Sequence, residues 1–593
     1  MYFRYKITFS IIVSTIIFVL LCVIDISIVS AQVNTGTIGD SNIKPLTAGG
    51  SIGFTTQAYQ SFGITARQPA LLARANANVS FSLFGMHSGL NLLYSTDDSR
   101  LRQSMNRLGF SGDWHWIHLA VGDVSPQIGK YSLNGATIRG GYLKLSPGIF
   151  RLAVTVGRSQ RAIKPGPSVN ASRLAYRQWM LAGKIGLGDK EKTHFHIDAL
   201  YAIDDKSSID TTQTNLSLSK VTPKENLELT PDLGISMFKG AFKISSQVTV
   251  SVFTRDINSN MLDLSSAGVP GFITGVFKPR ISTRVNYAGN ANMALNLNVF
   301  SLNLGVERIQ PGFTSLGISQ VRDDRQTINI APKFKFFGGR LVMSNHLSLG
   351  QDNLSGTRFT TQKSTQFGTN IQTQLSNMFT IAASYNLFLH QIVPNASVAD
   401  SLTAGLGQTQ TSNNFMIQPT LSIQSGSLVH TVSLSFSYLT LNTNIDQTPT
   451  TNQTTGMPSN YGSNTYTGTL SYSVSLPSGM GINASANYMK NQSNAIDINN
   501  IGINTGLSYT LFNNKMTLSL NGGYNTNKST PKNNPMISGV QMAQITGNGS
   551  ASYRLTGKDS FSLSVRFLNN QAKQGSGRSF QEVQGRFQYR HRF

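Results

Sequence analysis

Val583-Gln584-Gly585-Arg586-Phe587-Gln588-Tyr589-Arg590-His591-Arg592-Phe593 alternates without a break. Val583, Gly585, Phe587, Tyr589, His591 and Phe593 fall on one side, and Gln584, Arg586, Gln588, Arg590 and Arg592 on the other. Side chains of a strand alternate with period 2, so one face of this segment is apolar or aromatic and the other strongly polar.

The same alternation recurs from about residue 50 onward as runs of about ten residues joined by tight turns and longer polar loops, the pattern of strands that cross a bilayer. The clearest hairpin carries Ile503, Thr505, Leu507, Tyr509 and Leu511, a turn at Phe512-Asn513-Asn514-Lys515, then Met516, Leu518, Leu520, Gly522 and Tyr524. Its other face is Asn504, Gly506, Ser508 and Thr510, then Thr517, Ser519, Asn521 and Asn525. A soluble β-sandwich or β-helix would bury one face against a second sheet. Aromatic residues recurring at strand ends favour a membrane girdle instead.

Composition agrees. The 593 residues carry 49 Lys+Arg against 26 Asp+Glu, a formal charge of +23, yet only 13% are charged; soluble chains carry about a quarter. Residues 1–31 read as a secretory signal: Arg4 and Lys6 precede an apolar core, and Val29-Ser30-Ala31 supplies small residues before a cut at Gln32. The single cysteine, Cys22, falls inside it, so the mature chain is expected to hold no disulfide, thiolate metal site or cysteine nucleophile. Beyond it no apolar run approaches the length of a transmembrane helix, and a closed barrel is the other way to span lipid.

These features resemble those of large bacterial outer-membrane β-barrel proteins of porin-like type, without plug or POTRA domain. The expected fold is all-β: a single closed transmembrane antiparallel barrel of about 26 strands, occupying residues 49–593 after a short periplasmic segment at 32–48. Short turns at 477–479, 512–515 and 556–559 then face the periplasm, and loops at 391–412, 442–464 and 527–541 face outward. The resemblance implies insertion through the C-terminal strand by barrel-assembly machinery, with Phe587, Tyr589 and Phe593 as the assembly signal. It also implies contact with membrane lipid and lipopolysaccharide.

The polar face puts Arg139, Arg151, Lys184, Lys243, Lys333, Lys335, Arg554, Arg566, Arg586, Arg590 and Arg592 toward the lumen. A basic wall concentrates anions and disfavours cations. Nucleic-acid binding, the usual inference from so basic a chain, does not suit a membrane-embedded lumen. His194, His196 and Asp198 share one strand face; two imidazoles at this spacing suit zinc, but a structural site wants four ligands, so no metal is expected and the pair stands as a weak candidate. Gly49-Gly50-Ser51-Ile52-Gly53 matches G-x-S-x-G, a motif with meaning only at a strand-to-helix elbow. Trp114-His115-Trp116-Ile117-His118 reads as an interface anchor. Between Gly122 and Gly141, dense Gly, Asp and Pro punctuation suggests a close backbone approach or a constriction loop inside the barrel.

The expected function is a channel with an anion-leaning lumen, not an enzyme, and without a cofactor. The alternative is a scaffold or accessory subunit of an envelope complex whose partners occupy the pore or rim. A membrane-embedded hydrolase ranks last, because no catalytic constellation supports it.

Overall fold

The computed structural model describes residues 46–83, 86–96, 106–164, 174–209, 221–262, 277–318, 320–395, 407–446, 460–532 and 538–593. The signal at 1–31 and residues 32–45 of the segment after it lie outside the described residues. Two compact units gather the chain: Ala48–Phe81 with Met86–Phe593, the barrel, and Met1–Thr47 with Ser82–Gly85, of which only 46–47 and 82–83 are described.

The strands run β1 Leu46–Phe62, β2 Leu71–Leu83, β3 Met86–Ser95, β4 Arg107–Trp114, β5 Ile117–Val124, β6 Ile138–Leu145, β7 Phe150–Gln160, β8 Arg177–Gly188 and β9 His194–Asp205. Next come β10 Glu225–Met237, β11 Phe242–Thr254, β12 Thr283–Asn296, β13 Phe300–Ile309, β14 Arg325–Phe336, β15 Leu341–Asp352, β16 Thr360–Gln374, β17 Phe379–Pro394 and β18 Gly407–Ser425. The last are β19 Leu428–Asp446, β20 Asn460–Ser475, β21 Met480–Ser493, β22 Ile496–Leu511, β23 Met516–Pro531, β24 Val540–Arg554, β25 Asp559–Gln574 and β26 Phe580–Arg592. Each pairs with its sequence neighbours in one 26-stranded antiparallel sheet. β1 and β26 close the ring, from Ser51 opposite Arg592 to Phe62 opposite Gln581. Closure leaves no free strand edge, which lipid would not tolerate.

Directly opposed residues of neighbouring strands lie on one face, so the registers carry a single parity round the ring. The outer parity is apolar, as in Trp179, Leu181, Ile185, Phe195, Ile197, Leu229 and Leu233, all exposed. From β20 to β24 the inner parity is mostly Ser, Thr, Asn and Gly: Asn487 faces Gly502, which faces Asn525, and Asn483 faces Gly506, which faces Asn521.

Turns at one end are short. Three of them use runs of positive φ: Phe238, Lys239 and Gly240; Phe337, Gly338 and Gly339; Phe512, Asn513 and Asn514. Left-handed residues suit the right-handed twist of the flanking strands, and Gly240 and Gly339 adopt them without a Cβ penalty. At the opposite end the strands reach farther into the expected loops than the alternation suggested. β17 continues to Pro394, β18 begins at Gly407, β19 runs to Asp446, β20 begins at Asn460, and β23 runs to Pro531. Ser, Thr and Asn in these extensions still alternate and pair, so polarity alone did not mark a loop there.

Candidate functional site

Two connections at the long-loop end fold into the lumen. The first, residues 125–137 between β5 and β6, turns tightly: Ile128 N donates to Leu133 O at 3.0 Å, and Ser132 N to Gly129 O at 3.4 Å. Ile128, Leu133 and, at the start of β6, Ile138 are fully buried. They pack on Ala120, Val124, Ala153, Met180, Ala182, Leu200 and Ala202. Those wall residues occupy the inner parity of β5 and β7–β9, where a water-filled bore would require polar groups, and the loop covers them. Each buried isoleucine or leucine contributes about 1.5–3 kcal/mol relative to exposure.

The second, residues 310–324 between β13 and β14, seats Phe313 beside Tyr131, with ring centroids 6.5 Å apart and nearly perpendicular. Leu316 N donates to Asn226 Oδ1 at 2.9 Å, and Ser251 Oγ donates to Thr314 O at 2.7 Å. The loops also meet each other, Ser315 Oγ donating to Ser132 O at 3.0 Å. At Gly317 any Cβ would overlap Ser132 O, so only glycine allows this approach.

Glu307 on β13 is the anchor of the first loop. Lys130 Nζ and Tyr131 OH both donate to its Oε1 at 2.7 Å, while Arg325 Nη2 donates to Oε2 at 3.0 Å. Burial, and then the Glu307 carboxylate, push the Tyr131 phenol well above the usual tyrosine range. The loop backbone is held as well, with Lys130 N donating to Gln247 Oε1 at 3.2 Å.

Beneath the loops the wall is polar and enclosed. Asp198, Glu228, Asp232, Gln247, His194 and His196 are all buried on the inner parity. Lys184 Nζ lies 3.5 Å from Asp198 Oδ1.

Of the residues expected to line the lumen, Arg151, Lys184, Lys243, Lys333, Lys335, Arg554, Arg566, Arg586, Arg590 and Arg592 share the inner parity. Arg151 and Lys184 sit on the looped side and are ion-paired, to Asp189 and Asp198. Arg566 stands between Asn548 and Gln584, and Arg586 between Ser564 and Gln57. Arg139 is different. It opposes Asp123 and Arg158 on the parity of exposed Leu119 and Val121, and pairs with Asp123 at 2.7 Å. The inner parity of β6 belongs to Ile138, which the first loop buries, so Arg139 faces outward.

Phe587 and Tyr589 lie on the outer parity. Tyr589 stacks on Phe561 at 5.0 Å and donates to Asp559 Oδ1 at 2.9 Å. Phe593 exchanges backbone hydrogen bonds with Gly50, at 3.1 and 3.2 Å. Ser51 of the G-x-S-x-G match lies within β1, where its hydroxyl accepts from Arg590 Nη2 at 3.2 Å. Trp114 and Trp116 are half exposed around the turn at His115.

Neither protein-family models nor curated protein sequences match this chain. Among solved structures the chain is similar to Acinetobacter baumannii OccAB4, at 10% identity and TM-score 0.29 over 72% of this chain and 100% of that one. It is similar to the P pilus usher (PapC) translocation pore, at 10% identity and TM-score 0.23 over 92% of this chain and 99% of that one. The FpvAI–pyocin S2 complex gives 10% identity and TM-score 0.39 over 92% of this chain and 70% of that chain. Likenesses this distant add nothing to what the strand register establishes.

No sequence pattern marks the 310–324 loop or singles out Glu307 as an anchor. A usable sign was present in the wall: Ala120, Ala153, Met180, Ala182, Leu200 and Ala202 give β5 and β7–β9 a stretch that is apolar on both faces. Such strands in a single-layer barrel require a cover.

Proposed function

We propose that this protein is an outer-membrane diffusion channel, its bore narrowed on the β5–β14 side by the loops at 125–137 and 310–324 and leaning toward anions through basic residues of the inner wall that carry no carboxylate partner among the described residues. The observation that carries the reading is the division of the inner wall. The carboxylates Asp198, Glu228 and Asp232 are buried, and Glu307 is engaged by Lys130 and Tyr131 of the first loop. Arg566, Arg586 and Lys333 instead stand exposed among uncharged polar groups, with no carboxylate within 4.0 Å among the described residues. Fixed cations beside water raise the local concentration of small anions.

Purified protein in planar bilayers is expected to conduct, with a reversal potential that favours anions and a selectivity that fades as salt rises. A silent bilayer, or cation preference at low salt, overturns the proposal.

A second reading has one observation behind it. β18 and β19 are 19 residues long, about twice the length that crosses a bilayer. Their surplus forms a wall beyond the membrane suited to a partner in an envelope complex. Recovery of a stoichiometric partner in mild detergent would favour this role; a monodisperse single chain that conducts would leave it without support.

A further inference from the structure

We propose that His194, His196 and Asp232 form a binding site for a divalent transition-metal ion, zinc by preference, on the barrel wall. One donor atom from each residue lies within 4.8 Å of the others, and all three residues are buried. They come from adjacent strands: His194 and His196 from β9, and Asp232, directly opposite His196, from β10.

The hydrogen bonds of the two imidazoles select the nitrogens that face one another. His194 Nδ1 lies 3.0 Å from Lys192 O, and His196 Nε2 lies 3.0 Å from Gly188 O. A carbonyl only accepts, so each of these nitrogens carries its proton and donates it to the backbone. That leaves His194 Nε2 and His196 Nδ1 as the metal-facing atoms. An outward N–H held by a carbonyl is the arrangement that fixes the tautomer and orientation of ligating histidines.

The inward atoms lack adequate partners. His196 Nδ1 and Asp232 Oδ2 are buried with no hydrogen-bond partner, and His194 Nε2 approaches Asp232 Oδ1 only at 3.3 Å. With neutral rings, two nitrogen lone pairs and a carboxylate converge in an enclosed space, which is costly without a cation. Lys184 does not supply it, because its ammonium is directed to Asp198.

The wall is also shaped for the two rings, which stack at 4.7 Å. A Cβ at Gly234 would overlap the His194 ring, and one at Gly186 would overlap the His196 ring. Glycines on both flanking strands thus let the imidazoles lie flat against the wall. Two histidines and one carboxylate are a donor set for zinc with water in the fourth position, at bond lengths of about 2.0–2.1 Å. Contraction of the donors onto an ion is on the order of 1 Å. Such an ion would tie β9 to β10 beside the turn that joins β8 to β9.

The test is titration of the chelator-treated, folded barrel with Co²⁺, followed by its visible absorption, and with Zn²⁺ by calorimetry. One equivalent is expected, with the intense bands of low-coordinate Co²⁺. His196→Ala and Asp232→Asn should each weaken binding on the order of 100-fold, whereas His346→Ala on β15 should leave it unchanged. Heat-modifiable gel migration reports whether each variant has folded. If Asp232→Asn does not assemble, X-ray absorption of the zinc-loaded parent protein decides: two imidazoles and a carboxylate support the site. A shell with another imidazole number overturns it, as do absence of saturable binding or full binding retained by His196→Ala.

Discussion

Tyr131 and Glu307 are 176 positions apart in sequence, yet the Tyr131 hydroxyl donates to Glu307 Oε1 at 2.7 Å inside the barrel. Lys130 converges on the same oxygen. A charged hydrogen bond contributes about 1.5–3 kcal/mol, and Glu307→Gln weakens two of them and removes the ion pairs. The expected result is a larger, noisier single-channel conductance with the barrel intact, measured in planar bilayers beside gel migration. Unchanged conductance and noise would show that this anchor does not hold the loop.

Tyr131 also gives the loop a pH limit. Burial and Glu307 raise its folded-state value, while a phenol released to water ionises near pH 10. The protonated form is therefore favoured in the docked state. Docking is at full strength below about pH 10 and weakens as the pH rises beyond it. Conductance is expected to grow above that point in the parent protein. In Tyr131→Phe the alkaline rise should disappear, after a smaller offset at neutral pH.

Leu133 is fully buried against wall alanines and Leu200. Leu133→Ala should cost the docked loop about 2–5 kcal/mol. Hydrogen exchange at 128–133 should accelerate, while strand amides of β18–β26 keep their protection. A uniform acceleration would mean that loop and barrel open as one unit.

Gly317→Ala places a methyl group on Ser132 O, which is backbone and unable to swing aside. Separation of the two loops is expected, read as increased proteolytic sensitivity in 310–324 and a conductance close to that of Glu307→Gln. Gly50 tests the closing seam in the same way: a Cβ there would lie 2.5 Å from Asn78 O and 3.0 Å from Phe593 Cζ. Gly50→Val should impair assembly, scored by the fraction of heat-modifiable barrel in membranes.

Arg566→Glu, Arg586→Glu and Lys333→Glu together should move the reversal potential toward cations without altering assembly. Arg139→Glu, on the outward parity beside Asp123, should leave ion preference unchanged. An equal shift from both sets would contradict the division of the wall.

The barrel was legible because its information is local. Period-2 alternation in β20–β26 names the face of each residue, and Ile503 through Tyr524 reads correctly with no knowledge of neighbours. The loops were not legible in the same way. Glu307 reads as one more polar residue on an alternating strand, and only the fold brings Lys130, Tyr131 and Arg325 to it. Arg139 fails for a related reason: near Gly140 and Gly141, alternation has too few side chains to fix its phase. Asp232 was missed beside His194 and His196 because its place opposite His196 is a register fact, not a spacing.

The unequal strand lengths reach beyond the protein. β4, β5 and β6 are eight residues each, rising about 27 Å along the strand and about 20 Å once tilted. An apolar band is typically about 25 Å tall. In the membrane setting proposed above, lipid beside these strands is expected to thin or tilt to meet the protein, while lipid around β18 and β19 need not. On that proposal the protein would impose a sidedness on the bilayer within the membrane plane, with its thinnest annulus next to the strands that hold the first lumen loop.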